Sequence, residues 1–156
     1  MPGPERKVKR SEVLDLFEPG QPETASTLAE DLPCHQDTVF NRLKELYELE
    51  KVKTKKPGGR ARVWWIPDPE RSVDAEMIDD SDYTSAKDPK ILRELAKASE
   101  SCEPITSVEI SEQIDETKDS CYNRLRVMDK RGLIESLKAG STSKVWWIEE
   151  QPTHST

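Results

Sequence analysis

The chain has 156 residues, 33% hydrophobic and 35% charged, with a mean hydropathy of -0.82. That balance supplies apolar side chains for small cores, and no run approaches the ~20 apolar residues of a membrane-spanning helix. The net charge of -7 argues against a nucleic-acid partner until it is divided along the chain: residues 1–66 carry 12 bases and 11 acids, residues 67–88 carry 2 and 8, and residues 89–156 carry 10 and 12.

The stretch MPGPERKVKR (1–10) has Arg6, Lys7, Lys9 and Arg10 but no apolar segment behind them. It reads as a basic tail rather than a secretory signal, and the protein is expected in the cytoplasm. A first helix is predicted from Ser11, as N-cap, to Phe17, with Val13, Leu14 and Phe17 at helical spacing. A second covers 25–32. The longest runs over about 36–50, where Val39, Leu43 and Leu46 form one apolar stripe while Asp37, Asn41, Lys44 and Glu48 fall on the other side. VKTKK-PGGR-ARVWWI (52–66) then reads as strand, turn and strand, with Gly58 and Gly59 in the turn. Alternation puts Val63 and Trp65 on one face of the last strand and Arg62, Trp64 and Ile66 on the other.

The segment PDPERSVDAEMIDDSDYTSAKD (67–88) is acidic and reads as a linker; Val73, Met77 and Ile78 are alternatively spaced for a short amphipathic helix. Stretched, it would reach ~70 Å, and as a coil ~25 Å, enough for half-sites ~34 Å apart. After it the pattern repeats. A helix opens with Asp88-Pro89 as N-cap and N1 and continues through Ile91, Leu92 and Leu95. The next covers 107–114, with Thr106 and Glu109 fitting a capping box. The long one covers 118–131, with Cys121, Leu125 and Met128 as its stripe, and IESLKA-GSTS-KVWWI (134–148) closes the copy. At an offset of 82, residues 22–66 and 104–148 share 13 identities in 45 positions, including Asn41, Arg42, Leu43 and the run Val63-Trp64-Trp65-Ile66. The chain is therefore a duplicated domain: a basic tail (1–10), domain 1 (11–67), an acidic linker (68–87), domain 2 (88–150) and a C-terminal tail (151–156). The first copy has Glu50-Lys51 where the second has Gly132-Leu133, so its long helix is expected to end less sharply.

Helix, helix, turn, helix, basic Gly-rich hairpin: this order, with DTVFNRLKELYELEKV and DSCYNRLRVMDKRGLI as the third helices, resembles the winged helix-turn-helix domains of archaeal and bacterial transcription regulators, here in tandem. The resemblance covers about 115 residues and implies a mainly α fold with small β-hairpins (α+β). It implies that the third helix of each copy enters a major groove. By position this points to Gln36, Phe40, Asn41 and Lys44, and to Lys118, Tyr122, Asn123 and Arg126. Asparagine can bridge adenine N6 and N7 and arginine can take guanine O6 and N7, which singles out Asn41, Asn123 and Arg126 for base readout. Asp37 and Asp119 are read as capping or solvated.

Lys53, Lys55, Lys56, Arg60 and Arg62 give the first hairpin a run of positive charge suited to phosphates. Lys138 and Lys144 give the second a weaker grip. The leading expectation is a sequence-specific double-stranded DNA-binding protein, a transcriptional regulator that represses by occlusion. The alternative is a tandem winged-helix module that binds or scaffolds proteins with little or no DNA binding, favoured by the acidic linker, the net charge of -2 in domain 2 and any exposed Trp64 or Trp146. Trp65 and Trp147 are expected under the third helices, leaving Trp64 and Trp146 on an outer hairpin face where a homodimer or protein partner would dock. No phosphate loop, HExxH motif or nucleophile–histidine arrangement is present, so neither enzyme nor cofactor is expected. Cys34, Cys102 and Cys121, with His35 and His154, make no zinc spacing.

Overall fold

The structure is a computed structural model that describes residues 8–58, 61–71, 73–139 and 143–152. The chain divides into two compact units, 1–67 and 68–156. Among the described residues it is mixed α and β, with six α-helices and two two-stranded antiparallel hairpins.

Unit 1 contains α1 (Arg10–Leu14), α2 (Ala25–Ala29), α3 (Gln36–Glu48), β1 (Lys53–Gly58) and β2 (Ala61–Trp65). Thr24 caps α2, its side chain accepting from the Thr27 amide at 3.1 Å. Val39, Leu43 and Leu46 are buried, as their spacing predicts, and pack with Val13, Phe17, Leu28, Val52 and Trp64. The basic tail ends earlier than expected: Val8 belongs to this core, and Lys9 rather than Ser11 precedes the first helix. Residues 1–7 of that tail lie outside the described residues.

Unit 2 contains α4 (Lys87–Ala98), α5 (Ser107–Ile114), α6 (Lys118–Lys130), β3 (Glu135–Ala139) and β4 (Ser143–Trp147). The capping box at α5 forms as expected, with Thr106 N donating to Glu109 Oε1 at 3.1 Å and Glu109 N to Thr106 Oγ1 at 3.2 Å. Cys121, Leu125 and Met128 are buried under α6 with Ile91, Leu92, Leu95 and Trp146.

Three further expectations change. Residues expected as linker form part of unit 2: Val73 and Ile78 are buried in its core, flanking a 3-10 turn at Ala75–Met77, while Met77 remains exposed. Two large aliphatic side chains among acids suffice to seat the segment because α4 offers them an apolar face. Asp88 does not cap α4. It lies in the first turn, 3% exposed, and accepts two hydrogen bonds from Arg124, Nε to Oδ1 and NH2 to Oδ2, both 2.8 Å. Finally, α3 ends as sharply as α6. Glu50 takes φ 60° where Gly132 has φ 77°. Lys51 N then reaches Leu46 O at 2.9 Å, as Leu133 N reaches Met128 O at 3.0 Å. Both closures satisfy a last-turn carbonyl through a left-handed residue.

Each unit adds one bridge that local periodicity does not announce. Glu23 and Trp64 exchange backbone hydrogen bonds, 2.8 Å each, and Ile105 and Trp146 do the same, also 2.8 Å each. The segment entering the second helix thereby pairs with the outer edge of the closing strand, holding hairpin and helices together.

Candidate nucleic-acid interface

The tryptophan pairs locate the candidate site, in the opposite sense to the expectation. Trp64 and Trp146 are buried, 1% and 0% exposed, within the two cores. Trp64 meets Phe40 of α3 edge to face at 5.8 Å and 77°, and Trp146 meets Tyr122 of α6 at 5.9 Å and 78°. Trp65 and Trp147 are buried too, and Trp147 Nε1 donates to Glu149 Oε1 at 3.2 Å. Trp64 and Trp146 therefore do not form an exposed outer face for a partner. Alternation groups Arg62, Trp64 and Ile66 correctly but does not say which group meets the helices. Arg62 makes its face look solvated, yet its guanidinium lies over the Trp64 ring, 5.7 Å from the centroid, so charge and core share one face.

The same arrangement occurs in both units at equivalent positions. In unit 1, Lys44 Nζ lies 5.7 Å from the Phe40 centroid, Phe40 abuts Trp64, and Arg62 covers Trp64. In unit 2, Arg126 lies 5.9 Å from the Tyr122 centroid, Tyr122 abuts Trp146, and Lys144 Nζ sits 4.7 Å over Trp146. A cation on the helix and a cation on the closing strand are thus linked by two rings. Each cation is held by its ring's negative face, and the inner ring is anchored in the core. Among the described residues, neither Trp64 Nε1 nor Trp146 Nε1 has a hydrogen-bond partner, so the same indole donor is left over in both copies.

Around these ladders the predicted residues fall into groups. Gln36, Asn41 and Lys44 are exposed along α3, with Phe40 half-buried; Lys118, Tyr122, Asn123 and Arg126 are exposed along α6. The hairpins are less uniform. Lys53 pairs with Trp65 and Lys55 with Val63, so these lysines share the face turned away from α3. Lys56 lies at the register shift between Lys55 and Gly58. Lys138 sits directly opposite Lys144 on the face toward α6. Arg60 lies outside the described residues. The structure therefore brings Lys44 with Arg62, and Arg126 with Lys144 and Lys138, and sets Lys53 and Lys55 apart.

No family model and no curated protein sequence matches this chain.

Two further arginines hold the third helices in place. Arg42 Nε donates to Val8 O at 3.1 Å and its NH1 pairs with Glu45. Arg124 binds Asp88, whose carboxylate pushes the guanidinium pKa further up through those hydrogen bonds. Their identity across the repeat marked them as a shared feature, but their inward role depends on partners up to 36 residues away. In contrast, the aromatic at 40 and 122 and the bases at 44, 126, 62 and 144 recur in the sequence, a signal that could have revealed the ladders. Among the described residues no group of three or more His, Cys, Asp or Glu side chains is placed to hold a metal ion, and no helix is long and apolar enough to cross a membrane.

Proposed function

We propose that the chain is a tandem winged helix-turn-helix protein that binds double-stranded DNA by sequence and regulates transcription, repressing by occlusion. The observation that carries this reading is the recurrence, in both units, of exposed polar residues on the first turns of the third helix beside a cation-bearing hairpin strand, joined by the aromatic ladder. In this reading α3 and α6 are the recognition helices and the hairpins are wings. Asn41 and Asn123, equivalent and exposed, offer the bidentate amide that suits adenine. Lys56, Arg62, Lys138 and Lys144 face phosphates from the wings. The bridge from Glu23 or Ile105 to the closing strand supports the same fold reading, because it ties the wing to the helices. The alternative of a protein-binding module loses one of its three supports, since Trp64 and Trp146 are buried.

The test is selection of duplexes from a random pool by the full chain, followed by titration of Asn41→Ala and Asn123→Ala on the recovered sequences. Each substitution is expected to reduce base discrimination by ~1–3 kcal/mol while non-specific affinity persists. Equal losses on every sequence would count against direct readout, and a pool without enrichment against sequence specificity.

A further inference from the structure

The two copies place their charge differently. Helix α3 carries two bases and three acids, whereas the equivalent α6 carries four bases and two acids. The hairpins reverse the order: residues 53–65 hold five bases and no acid, residues 135–147 two bases and one acid. The ladders are exchanged in the same sense, with lysine on the helix and arginine on the strand in unit 1, and arginine on the helix and lysine on the strand in unit 2.

Lysine and arginine are not equivalent in this setting. The ammonium is a strongly hydrated point charge that finds a phosphate, while the planar guanidinium fork matches guanine O6 and N7 with two parallel hydrogen bonds. Within α3 and α6, Arg42 and Arg124 are committed inward to Val8, Glu45 and Asp88. Arg126 is the remaining arginine. It is exposed, and it lies over Tyr122, itself 38% exposed and braced against the buried Trp146. A guanidinium held over a ring has fewer orientations to lose on binding a base edge.

We infer that the copies divide the work: unit 2 supplies guanine preference through Arg126, and unit 1 supplies most of the salt-dependent affinity through its hairpin. This rests on the DNA-binding reading above. Domain 1 is led by its strand cations because α3 is net acidic, and a net acidic helix approaches the phosphates at a penalty that the hairpin bases offset. Domain 2 is led by its helix, whose net charge attracts the duplex and whose arginine then discriminates within it.

The experiment uses the full chain and duplexes recovered from a random pool, each paired with a version in which guanine is replaced. Arg126→Lys, which keeps the charge, is expected to lower discrimination between the two by about ten-fold and to leave the salt dependence unchanged. Lys44→Ala is expected to weaken all duplexes alike. Combined Lys56→Gln and Arg62→Gln is expected to lower the slope of log K against log salt by up to about 0.9 per lost phosphate contact while guanine discrimination remains. The division is overturned if Arg126→Lys keeps full discrimination, if Lys44→Ala erases it, or if the Lys56 and Arg62 double variant leaves the slope intact. A wild-type chain without salt-dependent DNA affinity overturns the DNA reading itself; the other three outcomes, with wild type binding, overturn the division alone.

Discussion

Units 1 and 2 reach one arrangement by different chemistry, and the differences lie at equivalent positions. Arg42 holds α3 to a backbone carbonyl and a half-exposed Glu45, whereas Arg124 holds α6 to a carboxylate that is 3% exposed. Glu50 makes the left-handed turn that Gly132 makes without a side chain. The bridge to the closing strand starts from Glu23 in one copy and Ile105 in the other. Duplicated domains keep the geometry of a contact more strictly than its residues, so a substitution at matched positions separates what the geometry needs from what the residue adds.

The largest such difference is expected at the helix anchor. Asp88→Ala leaves Arg124 beside a buried space without its anion, and should lower the stability of unit 2 by ~2–3 kcal/mol in urea unfolding. Arg42→Ala should cost unit 1 about 1 kcal/mol, since its partners remain solvated or neutral. Equal losses would contradict the contrast.

The turn after the third helix should respond with opposite signs. A non-glycine residue in the left-handed region costs ~1–2 kcal/mol, partly offset in glycine by its greater unfolded-state freedom. Glu50→Gly is therefore expected to stabilise unit 1 by ~0.5–1 kcal/mol, and Gly132→Ala to destabilise unit 2 by ~1 kcal/mol. For Gly132 the penalty is conformational, because an added Cβ would meet nothing within 4 Å. Thermal unfolding of the two variants checks both signs; a stabilising Gly132→Ala would contradict the backbone reading.

The smallest effect concerns pH. Burial raises the Glu23 pKa above 4.5, against the hydrogen bond it accepts from Thr27. Its folded pKa then exceeds its unfolded one, so the ionised form is penalised. That penalty is absent below the unfolded pKa and grows as pH rises through the folded value. Glu23→Gln should therefore raise the melting temperature at pH 7 relative to wild type, and by less near pH 4. An equal shift at both would remove ionisation as the cause. Ile105 leaves unit 2 without this dependence at the matching bridge.

Much of the architecture was legible because it is local and occurs twice. The i, i+4, i+7 stripes at Val39, Leu43, Leu46 and at Cys121, Leu125, Met128 name the buried faces directly. The hairpins follow from strand alternation around Gly-rich turns. What escaped depends on contacts distant in sequence. Strand alternation pairs Trp64 with Arg62 and Ile66 but leaves the face meeting Phe40 undetermined. Asp88-Pro89 has the local form of a cap, yet its partner Arg124 lies 36 residues on. Val73 and Ile78 sit in an acid-rich segment whose composition hides that α4 completes their burial. The exposure of Gln36, Asn41 and Lys44 on α3, and of Lys118, Tyr122, Asn123 and Arg126 on α6, was legible from helical spacing; the placing of Lys53 and Lys55 on the face away from α3 required the register Lys53 to Trp65 and Lys55 to Val63.

The most direct measurement for the central claim is the affinity of the full chain for a random-sequence duplex over a series of salt concentrations. The account predicts that log K falls linearly with log salt, with a slope steeper than about -3, as expected when several hairpin and helix cations displace counterions. Affinity that is absent at the lowest salt, or that does not change with salt, would contradict it.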